Sequence, residues 1–388
     1  MYKLALQWQR FGPYHIARTS AAYAKLGSAN IEVFGLETSS TDDTYQWREE
    51  KRASDFCRYT TFPSEGYGDI GKLRLWNGVQ NQLNLLKPDA VAIAGYTTVD
   101  ALSALFWCKR NGRYSVLMCV SKHDDAKRYK LKESVKSLIV RQFDAALCGG
   151  RLQTQYLISL GLAEDRAFIG YNAVNNQYFR NNSQIARNQP ESFRNLPGLN
   201  DSTPFFLASC RFIVRKNLER LLIAYKRYRS LFCEHTNCEP WRLVILGDGP
   251  ERENLLKIEN EEEISGISWA GFRQIDELPA YYGLASCFIH PALQEQWGLV
   301  VNEAMASGLP VIVSERCGCA PELIIEGKTG FTFEPYNTEQ LTHLLFHVST
   351  DNGIDRVGNA ARDHVENWGP ERFAQGLLDA VSPTLLNE

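Results

Sequence analysis

Short apolar runs alternate with helical segments through most of this chain. The segment Lys72–Leu86 carries its apolar residues at helical spacing, and the apolar runs Ala90–Ala94 and Tyr114–Val120 follow it. Near-continuous apolar runs are typical of strands buried on both faces, which occur in parallel sheets covered by helices. The alternation starts again at Phe205. The sequence therefore predicts an α/β protein with two doubly wound, Rossmann-like domains.

The same patterns predict the individual elements of both halves. Strands are expected at Leu4–Trp8, Ile31–Phe34, Ala90–Ala94, Tyr114–Val120, Ala145–Leu147, Phe205–Ser209, Leu243–Leu246, Cys287–His290 and Val311–Val313. Helices are expected at His15–Leu26 and Lys72–Leu86, from Leu218 to Phe232, from Gly298 to Ser307, and from Pro370 to about Val381.

A stretch rich in Asn, Gln, Pro and Ser separates the two halves, and this composition is typical of a linker or hinge. The last predicted helix carries an apolar stripe that must be buried against another element. In doubly wound sheets, ligands bind at the carboxyl ends of the strands, which predicts a site in a cleft between two facing domains. The predicted divisions are an N-terminal domain over 1–180, a linker over 181–204, a second domain over 205–367 and a final helix within 368–388.

Charge and cysteine content exclude several classes of protein. The chain has 388 residues, 42 Lys and Arg, 45 Asp and Glu, and a net charge of −3, so the basic excess of a nucleic-acid-binding protein is absent. The ten cysteines are scattered, which is typical of reduced thiols in a cytoplasmic protein. The pairs Cys233/Cys238 and Cys317/Cys319 lack partners at zinc-site spacing, so no metal site is expected. The first residues are too polar for a signal peptide.

The most specific pattern lies between His290 and Pro310. A predicted strand ends at His290, a loop carries Glu295, and Gly298 allows a tight turn into a helix that contains Glu303. The unpaired N–H groups at the start of that helix suit an anion such as a diphosphate. Two carboxylates beside such a site suit hydrogen bonds from sugar hydroxyls. An arbitrary pair of glutamates would more simply be a solvated helix residue and a loop charge.

This segment resembles the E-x7-E signature of retaining glycosyltransferases of the GT-B fold, in the large family 4 (group 1). Seven residues separate Glu295 from Glu303, and Trp-Gly-Leu-Val and Glu-Ala-Met-Ala-Ser-Gly-Leu-Pro-Val match the words of that family. The resemblance is strong over the C-terminal half and weak over the N-terminal half. It implies that Glu295 faces the transferred sugar and that Glu303 binds the ribose. The backbone expected to contact the sugar and the diphosphate is that of Trp297, Gly298, Leu299 and Val300.

Two further loops fit the same resemblance. Arg211 and Lys216 follow a predicted strand, where they would neutralise the departing diphosphate; taken alone they would be read as a solvated basic loop. The family has Gly at positions 210 and 217, where this chain has Cys210 and Asn217. Gly247 and Gly249 resemble the family's Gly-x-Gly-Pro beside the donor. Phe272 and Arg273 match the loop that reads the nucleobase edge.

The N-terminal half is further from the family pattern. Gly12 matches one glycine of a loop that approaches the donor phosphate, and His123 occupies the place of an acceptor-site residue. His123 could equally be a surface histidine in a charged loop. The segment Lys122–Arg141 has seven basic and three acidic residues, a net charge of +4. This charge could bind an anionic membrane or an anionic acceptor, or simply form a solvated helix face. The resemblance also implies that the final helix packs on the N-terminal domain.

The resemblance thus implies a retaining glycosyltransferase that moves a hexose from a nucleotide-diphospho-sugar to a hydroxyl of a glycan, a glycolipid or a small molecule. The chain contains no Asp-x-Asp, so protein cations are expected to hold the diphosphate, with no metal and no cofactor. The expected location is the cytoplasm, where the basic segment could meet the inner face of the membrane.

Three alternatives to this function stay open. They are another nucleotide-sugar enzyme such as an epimerase, a pseudo-glycosyltransferase that couples groups other than sugars, and a catalytically silent nucleotide-sugar-binding subunit. A dehydrogenase is disfavoured because Arg252 stands where the dinucleotide fingerprint needs a third Gly.

Overall fold

The computed structural model of the chain describes residues 1–41 and 55–385. It contains two compact units. The first unit joins Met1–Asn175 to Trp368–Glu388, and the second is Asn176–Asn367. Among the described residues, no helix combines the length and the apolar character needed to cross a bilayer.

The first unit is a parallel sheet of seven strands with helices between them. Its strands are β1 (Tyr2–Trp8), β2 (Ile31–Thr41), β3 (Arg58–Gly66), β4 (Ala90–Ala94), β5 (Tyr114–Cys119), β6 (Ala145–Cys148) and β7 (Ala167–Ile169). They lie in the order β3-β2-β1-β4-β5-β6-β7. Its first helices are α1 (Pro13–Gly27), α2 (Lys72–Leu86), α3 (Val99–Arg110), α4 (Lys130–Val140) and α5 (Arg151–Ser159).

The second unit has a parallel sheet of six strands. The strands are β8 (Phe205–Ser209), β9 (Arg242–Leu246), β10 (Ile267–Gly271), β11 (Cys287–His290), β12 (Val311–Ser314) and β13 (Phe331–Phe333). Their order is β10-β9-β8-β11-β12-β13. The helices are α6 (Asn176–Asn188), α7 (Leu218–His235), α8 (Arg252–Glu261), α9 (Leu278–Leu284), α10 (Leu299–Ala306), α11 (Ala320–Leu323), α12 (Thr338–Thr350) and α13 (Asp355–Val365).

The last helix, α14 (Pro370–Leu385), returns to the first unit. Its buried residues Phe373, Leu377 and Val381 belong to the same apolar cluster as Leu4 and Leu6 of β1. Gly376 permits a close approach, because a Cβ atom there would lie 2.7 Å from the backbone oxygen of Ile169. The helix therefore covers one face of the first sheet. The range 368–388 predicted from the sequence extends past 385, where it lies outside the described residues.

The side-chain alternation of the strands divides the first core into two layers. Leu4 and Leu6 of β1 point to the cluster shared with α1 and α14. Ala5, between them, belongs to the opposite cluster, with Val79 and Leu83 of α2. Both faces of the sheet are buried in this way, which explains why its strands read as continuous apolar runs.

The predicted linker over 181–204 differs from the structure. Residues 176–188 form α6, and a short 3-10 turn follows at Pro190–Phe193. Phe179, Ser183 and Ala186 are buried at helical spacing. This narrow stripe packs the helix against the rest of the second unit, while its other residues are mostly polar. Ser183 packs against Gly283 of α9, where a Cβ atom would lie 2.6 Å from the Ser183 oxygen. The second unit therefore begins at Asn176, before residue 180.

Each sheet has one point where the strand order reverses, between β1 and β4 and between β8 and β11. The loops that leave neighbouring strands on either side of such a point enclose a crevice at the carboxyl edge of the sheet. In the second unit these loops are 210–217, after β8, and 291–298, after β11. They carry Lys216 and Glu295.

Candidate active site

Three side chains of the second unit meet at Glu295. Nε2 of His290, the last residue of β11, lies 3.1 Å from Oε2 of Glu295. Lys216, which is 79 residues away in the sequence, forms an ion pair with the same carboxylate oxygen through Nζ. His290 is buried, while Lys216 and Glu295 each retain a small exposed fraction. The structure therefore brings together two predicted site residues, and adds His290.

The charges of this cluster follow from its contacts. Burial raises the pKa of Glu295, but the hydrogen bond from His290 and the Lys216 charge outweigh burial and hold that pKa well below its usual range. Burial lowers the pKa of Lys216, and the Glu295 carboxylate overcomes this effect and raises it. Burial lowers the pKa of His290, so its ring is neutral and its Nε2–H donates to Glu295. Lys216 and Glu295 are thus both charged at neutral pH.

Gly298 sets the direction of the loop that carries Glu295. Its φ of 102° lies in the left-handed region, which favours glycine. Two backbone hydrogen bonds join this loop to the next one: the Gly318 N–H donates to Glu295 O at 3.1 Å, and the Cys319 N–H donates to Trp297 O at 3.1 Å. The Glu295 backbone is therefore held from both sides of the turn.

Asn217 fixes the loop that carries Lys216. It adopts φ 60° and ψ 32°, a left-handed conformation that Asn tolerates better than most residues. Its side-chain Nδ2 donates to the oxygens of Pro291 at 3.0 Å and Pro335 at 2.9 Å. Asn217 thus adopts the left-handed backbone conformation at the position where the family pattern has Gly. Its side chain also links this loop to the loop that carries Glu295.

Arg211 lies apart from this cluster. Its side chain is exposed, and no hydrogen bond or ion pair to another described residue holds it. The structure therefore does not join the two predicted cations into one contact: Lys216 is paired with Glu295, and Arg211 is accessible to solvent.

Gly247 and Gly249 have a packing explanation in the structure. Both have positive φ, and a Cβ atom at Gly247 would lie 1.9 Å from Cys210 O, while one at Gly249 would lie 2.5 Å from Phe212 O. The Phe212 N–H donates to Asp248 O at 2.8 Å. The glycines allow the loops after β8 and β9 to touch through their backbones. Burial raises the pKa of the Cys210 thiol to about 12, so this thiol is neutral.

The other predicted donor residues are mostly engaged within their own segments. Arg273 donates from Nε to Ala270 O at 2.9 Å and pairs with Glu277, so its side chain braces the loop after β10, in which Phe272 is partly buried. Trp297 is buried and donates from Nε1 to Asn302 at 2.8 Å. The first residues of α10, Leu299 and Val300, are partly buried.

Glu303 is fully buried on α10. Tyr282, on α9, donates its hydroxyl hydrogen to Oε2 of Glu303 at 2.8 Å. The sequence did not indicate Tyr282, which lies in an apolar helix and resembles an ordinary core residue.

Gly12 and His123 belong to the first unit. Gly12 caps α1, and its N–H donates to Nδ1 of His15 at 3.0 Å. Burial, with a smaller effect of the Arg18 charge, lowers the pKa of His15 to about 3. His123 is exposed after β5, with its ring edge-on to Tyr156 at 6.2 Å. Sequence reasoning did not single out His15, although its position three residues after Gly12 in the first turn of α1 was a usable signal.

Within the residues that the structure describes, no group of three or more His, Cys, Asp or Glu side chains is arranged to hold a metal ion. Of the two cysteine pairs considered above, Cys233 and Cys238 are exposed, whereas Cys317 and Cys319 are buried.

Residues 190–364 match the family model described as glycosyl transferases group 1. Sulfoquinovosyl transferase SQD2 of Arabidopsis thaliana is 38% identical over 133 residues, 33% of this chain and 25% of that protein. The uncharacterized glycosyltransferase MJ1607 of Methanocaldococcus jannaschii is 28% identical over 219 residues, 56% of this chain and 54% of that protein. The chain thus spans about half, or less, of the length of these curated relatives.

Solved structures resemble the chain over nearly its whole length. HepE of Anabaena, in complex with UDP and glucose, has a TM-score of 0.73 at 16% identity and covers 99% of this chain and 100% of its own. Sucrose-phosphate synthase of Thermosynechococcus elongatus has a TM-score of 0.73 at 18% identity and covers 100% of both chains. The predicted fold class is confirmed: the chain has two Rossmann-like α/β domains with parallel sheets, and it matches solved structures of the GT-B fold.

Proposed function

We propose that this protein is a retaining glycosyltransferase that moves a sugar from a nucleotide-diphospho-sugar to an acceptor hydroxyl without a metal ion. The observation that carries the proposal is the ion pair between Lys216 and Glu295. It lies at the carboxyl ends of β8 and β11, beside the reversal of strand order, and within the segment that matches the group 1 family.

The comparisons support a nucleotide-sugar donor. One structure of Anabaena HepE is a complex with UDP-glucose, and one relative from Mycobacterium tuberculosis is a GDP-mannose-dependent mannosyltransferase. The names of these relatives favour sugar transfer over epimerisation. A pseudo-glycosyltransferase or a silent subunit would keep the same residues, so a product assay must separate them from a sugar transferase.

Three of the charged residues have roles that fit their surroundings. The ionised Glu295 accepts hydrogen bonds from hydroxyls of the transferred sugar, and His290 holds it in position through a neutral ring. Lys216 and the exposed Arg211 stabilise the diphosphate as its negative charge develops. The backbone N–H groups at the start of α10 add to this anion site. Glu303 is assigned to the ribose from the family resemblance alone, because its side chain is fully buried and accepts a hydrogen bond from Tyr282.

The proposed reaction needs no protein nucleophile. The acceptor hydroxyl attacks the anomeric carbon on the face from which the diphosphate departs, and the bond from that carbon to the diphosphate oxygen breaks. An oxygen of the departing diphosphate takes the hydroxyl proton. The new glycosidic bond therefore has the configuration of the donor.

The first test uses a panel of nucleotide sugars with purified protein. The donor should raise the melting temperature, since a ligand at 100 times its dissociation constant adds about 2.7 kcal/mol to stability. Glu295→Gln and Lys216→Ala should each lower turnover by about 100-fold, because each removes a preorganised electrostatic contact. The matched control is Lys226→Ala, which breaks an exposed Lys–Glu pair of the same unit and should leave turnover unchanged.

Two results would refute parts of this proposal. Full turnover in both Glu295→Gln and Lys216→Ala would show that this ion pair is not part of the active site. A product with inverted anomeric configuration, measured by proton NMR, would remove the retaining mechanism while leaving the sugar transfer intact.

The acceptor side is assigned to the first unit, through His123. His123→Ala should raise the KM for the acceptor and leave the stabilisation by the donor unchanged. If the variant and the wild type have equal KM values for the acceptor, His123 is an ordinary exposed surface histidine and does not bind the acceptor.

A further inference from the structure

Helix α4 presents a row of apolar side chains to solvent. Leu131 is 79% exposed, Val135 is 52% exposed and Leu138 is 66% exposed. Because these residues are four and three positions apart, they lie on one face of the helix. Tyr129, which precedes the helix, is also exposed. We call Leu131, Val135 and Leu138 the apolar ridge.

Positive charges surround the apolar ridge. Lys130 and Lys132 flank it on the helix, and Lys127 and Arg141 lie near its two ends; all four side chains are exposed. None of the four forms an ion pair with another described residue. The nitrogens of Lys127 and Lys132 lie 5.7 Å and 5.2 Å from the centre of the Tyr129 ring. The outer surface of the helix thus combines apolar and cationic groups.

The acidic residues of the segment are already paired with basic residues of the same segment. Asp125 pairs with Arg128, and Asp124 pairs with the buried Lys122. Glu133 pairs with Lys136 at 2.8 Å. No carboxylate of residues 122–141 is therefore left to neutralise the four exposed cations.

Contacts to α5 and the chain after it fix which face of α4 points outward. Tyr156 donates its hydroxyl hydrogen to Glu133 at 2.7 Å, and Ser137 donates to Leu160 O at 2.7 Å. Val140 is the buried apolar residue of the helix. Because these contacts hold the opposite side, the apolar ridge cannot turn inward without breaking them.

We propose that the outer face of α4 docks on the surface of an anionic lipid membrane. The apolar ridge would enter the headgroup region, while the long side chains of the flanking lysines reach the anionic headgroups around it. The net charge of +4 over Lys122–Arg141 complements such a surface. A polyanion alone would bind the cations but leave the ridge in water. A convex ridge suits a fluid bilayer, which deforms around it, without needing a matching groove.

This inference does not depend on the proposed sugar transfer, and the test needs no donor or acceptor. Full-length protein is sedimented with vesicles of phosphatidylcholine, or of equal parts phosphatidylcholine and phosphatidylglycerol. We expect binding to the anionic vesicles, weakened by salt. The double variant Leu131→Ser/Leu138→Ser should bind them more than about 10-fold more weakly, because much buried apolar surface is lost. Lys130→Gln/Lys132→Gln should also weaken binding.

The matched control is Leu85→Ser, which changes a leucine of α2 that is 78% exposed. It should bind like the wild type, and all variants should keep the wild-type melting temperature because the changed side chains are exposed. Three results would overturn the proposal: no binding to either vesicle, equal loss in Leu85→Ser, or loss in the lysine variant with none in the leucine variant. The last result would indicate a polyanion-binding surface.

Discussion

The Tyr282 hydroxyl donates a hydrogen bond of 2.8 Å to the Glu303 carboxylate, and both side chains are fully buried. Glu303 lies on α10, whose start forms the proposed anion site, and Tyr282 lies on α9. A buried carboxylate is stable only when donors satisfy it. Tyr282 therefore helps to fix the position of the helix that carries the second glutamate of the pattern.

Tyr282→Phe should lower the free energy of unfolding by about 1–3 kcal/mol, because the buried carboxylate loses a donor while the ring volume is kept. Urea unfolding measures this difference. Tyr336→Phe, at an exposed tyrosine of the same unit, is the control and should change stability by less than about 0.5 kcal/mol. If the two variants are equally stable, the hydrogen bond does not contribute as argued.

Two substitutions at Asn217 separate its backbone role from its side-chain role. Asn217→Gly keeps the left-handed conformation and loses the bonds to Pro291 and Pro335, which should cost about 1–2 kcal/mol. Asn217→Ala loses the same bonds and adds roughly 1–2 kcal/mol of backbone strain at φ 60°. Denaturant unfolding should therefore rank wild type above Gly and Gly above Ala. An alanine variant as stable as the glycine variant would contradict the strain.

His15 should make stability depend on pH. Its pKa falls from 6.5 to about 3 in the folded protein, so the unfolded chain binds a proton that the native ring does not. Stability should therefore be lost as the pH falls from about 6.5 towards 3. Between pH 7 and pH 5, the melting temperature of His15→Gln should fall by less than that of the wild type. His343→Gln, at an exposed histidine, should follow the wild type. Parallel curves for all three proteins would exclude this role.

Chelation should leave sugar transfer unchanged. The chain has no Asp-x-Asp, and Arg211 and Lys216 are expected to bind the diphosphate in place of a metal ion. Initial rates are compared in EDTA and after its removal by gel filtration. A loss of rate in EDTA that Mg²⁺ or Mn²⁺ restores would show that a metal holds the donor.

Local patterns were enough to place many elements. The helix Lys72–Leu86 and the strands Ala90–Ala94 and Phe205–Ser209 agree residue for residue with the structure. The helix carries its apolar residues at helical spacing, and the two strands are nearly continuous apolar runs. The edge strand Arg58–Gly66 was not predicted, since its side chains are partly exposed and Pro63 interrupts it. Helix α6 was taken for a linker because only a narrow stripe of its residues is buried.

The residues of the candidate site also fall into those that the sequence indicated and those that only the structure shows. The resemblance of the segment His290–Pro310 to the family signature pointed to Glu295, Glu303 and Gly298 as site residues. The ion pair of Glu295 with Lys216, its contact with His290 and the bond from Tyr282 to Glu303 depend on how strands and helices pack, and no local pattern encodes such contacts. The left-handed Asn217 was visible only as a departure from the family pattern, and its two side-chain bonds explain why that departure is tolerated.

The return of α14 to the first unit also sets an order of assembly during synthesis. Residues 1–175 leave the ribosome before the whole of the second unit, and the helix that covers Leu4 and Leu6 follows only after residue 367. Until then, that side of the first sheet is covered by α1 but not by α14, and nascent chains with exposed apolar surface are prone to aggregate. We therefore expect the second unit to complete its core first, and the nascent first unit to need a chaperone until α14 has been synthesised.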